Sequence, residues 1–148
     1  VKRDERLRGL GHDHHHALVL ARRAAVASQG DEGEAHRVWD EVVRRFEGEL
    51  APHFAIEERL LLPALDGGRH APLSARTRDD HRALRALVEE DRGPVAARLE
   101  RFGATLRDHV RFEERVLFPA LEEEAGDAAL DAAAAAHQRL VEPAAELK

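Results

Sequence analysis

A thirteen-residue segment occurs twice in this chain, and the repeat constrains the fold more than any other feature. His53-Phe-Ala-Ile-Glu57-Glu58-Arg59-Leu-Leu-Leu-Pro63-Ala-Leu65 matches His109-Val-Arg-Phe-Glu113-Glu114-Arg115-Val-Leu-Phe-Pro119-Ala-Leu121 at eight of thirteen positions, with an offset of 56 residues. Phe46 and Leu50 ahead of the first copy map onto Phe102 and Leu106 ahead of the second. Two copies are too few for a solenoid, so they imply two helix hairpins related by a pseudo-two-fold axis, with room for a site shared between them.

Apolar residues recur every three to four positions, and Ala, Leu, Arg and Glu dominate, so the chain reads as all-helical. Five helices are predicted. The first runs from about Arg6 to Ala27. The second starts at Asp31, a cap with Glu34 in the capping-box position, and continues to about Leu62, with a bend at Pro52. Ser74 is the expected N-cap of a third helix that ends near Asp91. A fourth runs from Gly93-Pro94 to about Glu124, and an Ala-rich fifth covers about 127–147. Short loops between long helices favour an up-and-down antiparallel four-helix bundle, here about 7–124, with a short additional C-terminal helix; the whole, 1–148, is expected to be a single domain.

Within the repeat the spacing 46, 50, 53, 57, 60, 64 is the inward stripe of an amphipathic helix, and it puts His53 and Glu57 among Phe46, Leu50, Leu60 and Ala64. The second copy does the same for His109 and Glu113 among Phe102, Leu106, Val116 and Ala120. His81 lies in register with Thr77, Leu84 and Val88. Of the run His12-Asp13-His14-His15-His16, only His14 points with Leu7, Leu10, Ala17, Leu18, Ala21 and Ala25. Four imidazoles and two carboxylates would thus face a small core, where each uncompensated ion costs several kcal/mol. Two di- or trivalent cations supply the missing counter-charge, and carboxylates can bridge metals about 3.5–4 Å apart. Mixed imidazole and carboxylate donors suit iron or manganese, and zinc is compatible. The chain has no Cys, which removes thiolate sites and cysteine nucleophiles, and no Tyr, which removes a phenolic proton donor. Glu-x-x-His, the mark of ferritin-like di-iron bundles, does not occur.

The paired His-x-x-x-Glu-Glu-Arg, with one inward His on each of the other two helices, resembles the hemerythrin-like proteins, the HHE cation-binding domain family, over about Leu10 to Leu121. The resemblance implies a four-helix bundle around a non-heme di-iron centre of the Fe-O-Fe type. Glu57 and Glu113 would bridge, His14 and His53 would hold one metal, and His81 and His109 the other. Oxygen-carrying members have a further His one turn along the third helix, where this chain has Thr77 and Arg85, and an Asp-bearing fourth-helix motif, where it has His109 and Glu113. The pattern is closer to the four-His, two-Glu branch. Such a set leaves roughly two coordination positions open. The function expected by resemblance is binding, sensing or reduction of O2, NO or peroxide, with di-iron oxidoreductase activity and a redox partner in view; iron storage or a structural metal bundle is the alternative.

The remaining polar residues are expected to be ordinary. Glu58 and Glu114 would pair with Arg on the surface, His12 and His16 would form an exposed i, i+4 pair, His137 would pack beside Leu130, Ala134 and Val141, and His36 and His70 would face solvent. A net charge of −6 and pI near 5.9 argue against a nucleic-acid partner, and the lack of a long apolar run argues for a soluble, cytoplasmic protein with no membrane contact.

Overall fold

In the computed structural model, which describes residues 2–142, a 3₁₀ turn at Glu5–Leu7 leads into α1, Arg8–Ala27. Four segments, Glu32–Arg45, Phe46–Leu50, Ala51–Ile56 and Glu57–Leu61, run on without a break as one rod, α2, closed by a 3₁₀ turn at Leu62–Ala64. Ala71–Glu89 is α3. The rod α4 joins Val95–Phe112, Glu113–Leu117 and Phe118–Glu124, and α5 is Asp127–Val141. No strand occurs among the described residues, and the architecture is the expected helical bundle with an extra C-terminal helix. Residues 143–147 of the expected last helix lie outside the described ones.

Local chemistry sets most helix ends. The Asp31 carboxylate accepts the Glu34 N–H at 2.8 Å, as a capping residue should, although the Glu34 side chain turns to Arg37 and does not close the box. Ser74 is no cap. The helix opens three residues earlier with Pro72 in its first turn, and the buried Ser74 hydroxyl donates to Asp66 at 2.7 Å, tying α3 to the preceding loop.

Three π-helical turns interrupt the α-helical register, and all three precede a proline. Ala51, Leu62 and Phe118, the residues just before Pro52, Pro63 and Pro119, donate their N–H to the carbonyls of Phe46, Glu57 and Glu113, five residues back. Proline cannot donate to the ladder and its ring crowds the carbonyl four back; a locally widened turn relieves both problems. The expected bend at Pro52 takes this form.

Each wide turn adds one residue, so the buried stripe slips by one. After Glu57 it continues through Leu61 and Leu65, not Leu60 and Ala64. After Glu113 it passes to Leu117, while Val116 is 43% exposed and Ala120 stays buried beside Leu121. On α1, Leu20 and Ala24 take the core positions expected of Leu18 and Ala25, which are exposed.

Two apolar cores result. One gathers Leu20, Trp39, Phe46, Phe54, Phe102 and Leu106, and the other gathers Leu7, Leu10, Leu61, Phe112, Phe118 and Leu121. Four His and two Glu fill the layer between them. Helices α1 and α4 approach closely at Gly103, where a Cβ would stand 2.8 Å from the Ala21 carbonyl oxygen. Helix α5 lies across the start of α1 and the second half of α2. No helix among the described residues is long and apolar enough to cross a membrane.

Candidate metal centre

The six residues singled out by spacing meet in one buried layer. His14, His53, His81 and His109 are each at most 4% exposed, and Glu57 and Glu113 are fully buried. The ligand-capable atoms fall into two groups, His14–His53–Glu57–Glu113 and Glu57–His81–His109–Glu113, each with its atoms within 4.8 Å of one another. Both carboxylates belong to both groups, and their oxygens divide between them. Glu113 turns Oε1 to His14 Nε2 at 2.7 Å and Oε2 to His109 Nε2 at 3.0 Å. Glu57 turns Oε2 to His53 Nε2 at 3.1 Å and Oε1 to His81 Nε2 at 3.1 Å. The π-turns start at these two glutamates, so the segment that carries each carboxylate also carries its register shift.

The layer fits a pair of cations on grounds internal to the structure. Glu57 Oε1, Glu113 Oε2, His81 Nε2 and His109 Nε2 are buried without a hydrogen-bond partner among the described residues, although each lies about 3 Å from one of the others. Buried polar atoms left this way cost about 1–3 kcal/mol each. Atoms aimed jointly at a common point, with no proton correctly placed between them, have the geometry of donors to a third atom.

Each inward histidine is backed by a carboxylate on its other ring nitrogen. Nδ1 faces Glu114 for His14 at 2.6 Å, Asp13 for His53 at 3.0 Å, Glu58 for His81 at 2.6 Å and Asp80 for His109 at 2.9 Å. Such partners fix the ring plane and keep Nε2 as the inward donor atom. Glu58 and Glu114 therefore support the ring stack and are not mere surface partners of Arg, although Glu114 also has Arg3 at 3.8 Å. They follow Glu57 and Glu113 by one residue, which swings each side chain sideways onto the histidine of the adjacent helix. Asp13 and Asp80 stand immediately before His14 and His81, and a third Asp-His dipeptide, Asp108-His109, lies on α4 with its Asp exposed, so the dipeptide alone does not single out the two that back a ring.

His137 departs from the packing role expected of it. Its Nε2 lies 2.9 Å from the same Asp13 Oδ2 that faces His53. Gly9 makes room, since a Cβ there would fall 2.4 Å from the His137 ring. Val141, expected beside it in the core, is exposed. Exposed His36 matches expectation. His70 is partly buried near Glu124, where Arg69 already engages Glu123 and Glu124. The ring of Phe54 stacks on His81 with centroids 3.8 Å apart, and Phe118 stacks on His14 at 5.1 Å, so both apolar cores brace the layer.

For the side chains alone, charge balance shifts the titrations. Burial opposes the charged form of His109, yet Glu113 and Asp80 outweigh it and push the imidazole up to about 10. His53 and His14 are likewise raised against burial, by Glu57 and Asp13 for the first and by Glu113 and Glu114 for the second. Burial would raise Glu113, but His109, His14 and His53 hold it well below the usual carboxylate range. Without a cation, protons on the imidazoles are the counter-charge.

A cavity of about 370 Å³ reaches the layer from one side. His14, His53, His109 and Glu113 form its inner wall, Leu50, Phe54, Leu106 and Val110 much of its apolar lining, and α5 closes part of it with His137 and Leu140.

Residues 7–100 match the family model described as hemerythrin HHE cation binding domain. The match spans more than half of the chain and takes in His14, His53, Glu57 and His81; His109 and Glu113 join them through the internal repeat and the geometry. No curated protein and no solved structure matches the chain.

Proposed function

The chain belongs to the hemerythrin family of HHE cation-binding domains, and from that premise we propose that its centre holds two iron ions and binds or reduces a small ligand of the O2, NO or peroxide type. One observation carries the reading: two wholly buried carboxylates each divide their oxygens between two pairs of histidines. In this assignment His14 and His53 hold one ion, His81 and His109 the other, and Glu57 and Glu113 span both. Iron supplies the redox capacity when bound.

The chain's own residues do the rest. Asp13, Asp80, Glu58 and Glu114 hold the four rings with Nε2 directed inward. Leu50, Phe54, Leu106 and Val110 make the approach apolar, which favours a small uncharged ligand over bulk water. Phe54, flat against His81, closes the α3 side and leaves the cavity as the approach. With no Tyr in the chain, a proton for O–O or N–O cleavage comes from water, His or a carboxylate, and His137 stands on the cavity wall in contact with Asp13.

Metal analysis of freshly purified protein should find two irons per chain. Anaerobic protein mixed separately with O2, NO and peroxide should give a spectral adduct or turnover with at least one of them. Inertness to all three, with a large loss of thermal stability on chelation, would instead mark a structural or storage bundle.

A further inference from the structure

The histidine run on α1 is only partly used by the centre, and its remaining members lie in an informative place. His12 and His16 flank His14 one turn apart, with ring centroids 5.0 Å from each other. Both are exposed, and both line the cavity whose inner wall is His14, His53, His109 and Glu113. His15, between them, does not line it. Among the described residues no carboxylate is hydrogen-bonded to either ring of the pair, unlike the four inward histidines.

We propose that His12 and His16 form a docking site for a divalent transition-metal ion at the mouth of the cavity, from which the ion passes to the buried centre. Two imidazoles at i, i+4 on one helix face can close on a single ion by side-chain rotation alone, because exposed rings are free to turn. Neutral imidazole suits the borderline cations that the inner set suits, so the port and the destination select alike. Two protein donors with the rest of the shell left to water hold an ion loosely, as a transfer site requires. Inward of the pair the cavity wall is apolar at Ala17, Leu20 and Leu50, and its carboxylates short of the centre are already engaged, Glu49 by Arg45 and Asp13 by His53 and His137. An ion passing inward keeps its water ligands along the apolar wall and meets few free carboxylates that would hold it before His14, His53 and Glu113. The passage rests on the dinuclear reading above; the docking site itself does not.

The test uses the full chain carrying His12→Asn and His16→Asn together, with His15→Asn as the control on the same helix. Titration with Co2+ should show one weaker-bound ion per wild-type chain beyond those of the centre, absent from the double variant and present in the control. Anaerobic uptake of limiting Fe2+ by chelator-stripped protein should slow about tenfold in the double variant, the lower end of what capture at a cleft adds to an on-rate, with the same final iron content. Equal Co2+ stoichiometry, or equal uptake rates, overturns the proposal. A chain with His53→Ala and His109→Ala separates the two readings. It should lose the centre's ions and keep the outlying one, and a wild-type chain that binds Co2+ only at the pair would refute the dinuclear centre while leaving the docking site standing.

Discussion

The two halves of the metal layer are alike inside and unlike outside. Around Glu57 and Glu113 the His14–His53 half and the His81–His109 half offer the same donors, and each ring has its own carboxylate. Outside that ring the halves part. Asp13 of the first half is shared with His137 at 2.9 Å and borders the cavity, whereas Asp80 of the second has Arg76 at 3.6 Å, and Phe54 lies flat on His81. The inner shell follows the sequence repeat because both hairpins carry it; the outer shell follows what packs on each hairpin, and α5 packs chiefly on the first. Duplication explains the pair of donor sets, and the fifth helix explains why they are not equivalent.

Glu113→Ala should erase the comparison altogether, since its oxygens serve both halves: metal analysis should find both ions lost. The chelator-stripped variant should also unfold more easily, by about 3–5 kcal/mol in a denaturant titration, because His14 and His109 keep their charge while losing its partner. His81→Ala against His53→Ala comes next. Each should leave one ion behind, and the ion left in the His53 variant, whose set meets the cavity only through His109 and Glu113 while Phe54 covers His81, should show the slower quenching of its spectrum by added ligand.

Replacing the backing carboxylates one at a time, Asp13→Asn, Asp80→Asn, Glu58→Gln and Glu114→Gln, should weaken metal binding by about 10–100-fold each, measured by competition with a chelator. His137→Gln should have the smallest effect, confined to the His14–His53 half. Metal competition for that half should shift by a few-fold, while the other half stays unchanged.

Acid–base behaviour sharpens the contrast between stripped and loaded protein. His109 is raised from the ordinary imidazole range to about 10 by Glu113 and Asp80, so its charged form stabilises the metal-free fold fully below about pH 6.5. That contribution fades as pH rises through about 10, and His53 and His14, also raised, add in the same direction. Glu113 works from the other side: held low, it stabilises the fold above the usual carboxylate range and loses that effect as pH falls through its depressed value. Thermal melts of stripped protein should therefore fall from pH 6.5 to 10. Melts of loaded protein should stay nearly flat over that window, because bound cations displace the imidazole protons.

Much of this was legible in the residues. Period-3.6 patterning carried the helices, and the repeat carried His53, Glu57, His109 and Glu113, since a polar residue on an apolar stripe twice in the same register demands a reason. Among the departures, three have a reason that bears on the site. The stripe was extended at constant pitch past Glu57 and Glu113, so Leu60 and Val116 were placed where Leu61 and Leu117 stand; the prolines six residues after each glutamate were the sign of the wider turn. Glu58 and Glu114 read as surface residues because a wheel drawn for one helix shows direction and not the neighbour, and their partners sit on α3 and α1. His137 depends on α5 crossing α1 at Gly9, a contact between distant segments that no local spacing encodes.

The wide turns at Glu57–Leu61 and Glu113–Leu117 act as phase shifters between two stretches of ordinary helix. Straightening either into regular winding without removing a residue would rotate everything beyond it by about 100° against what came before. The core around Leu61 and Phe118 and the carboxylate layer could then no longer both face inward. The extra residue and the wide turn are therefore tied to each other, and a descendant of this chain can lose one only by losing both, whereas its loops can change length one residue at a time.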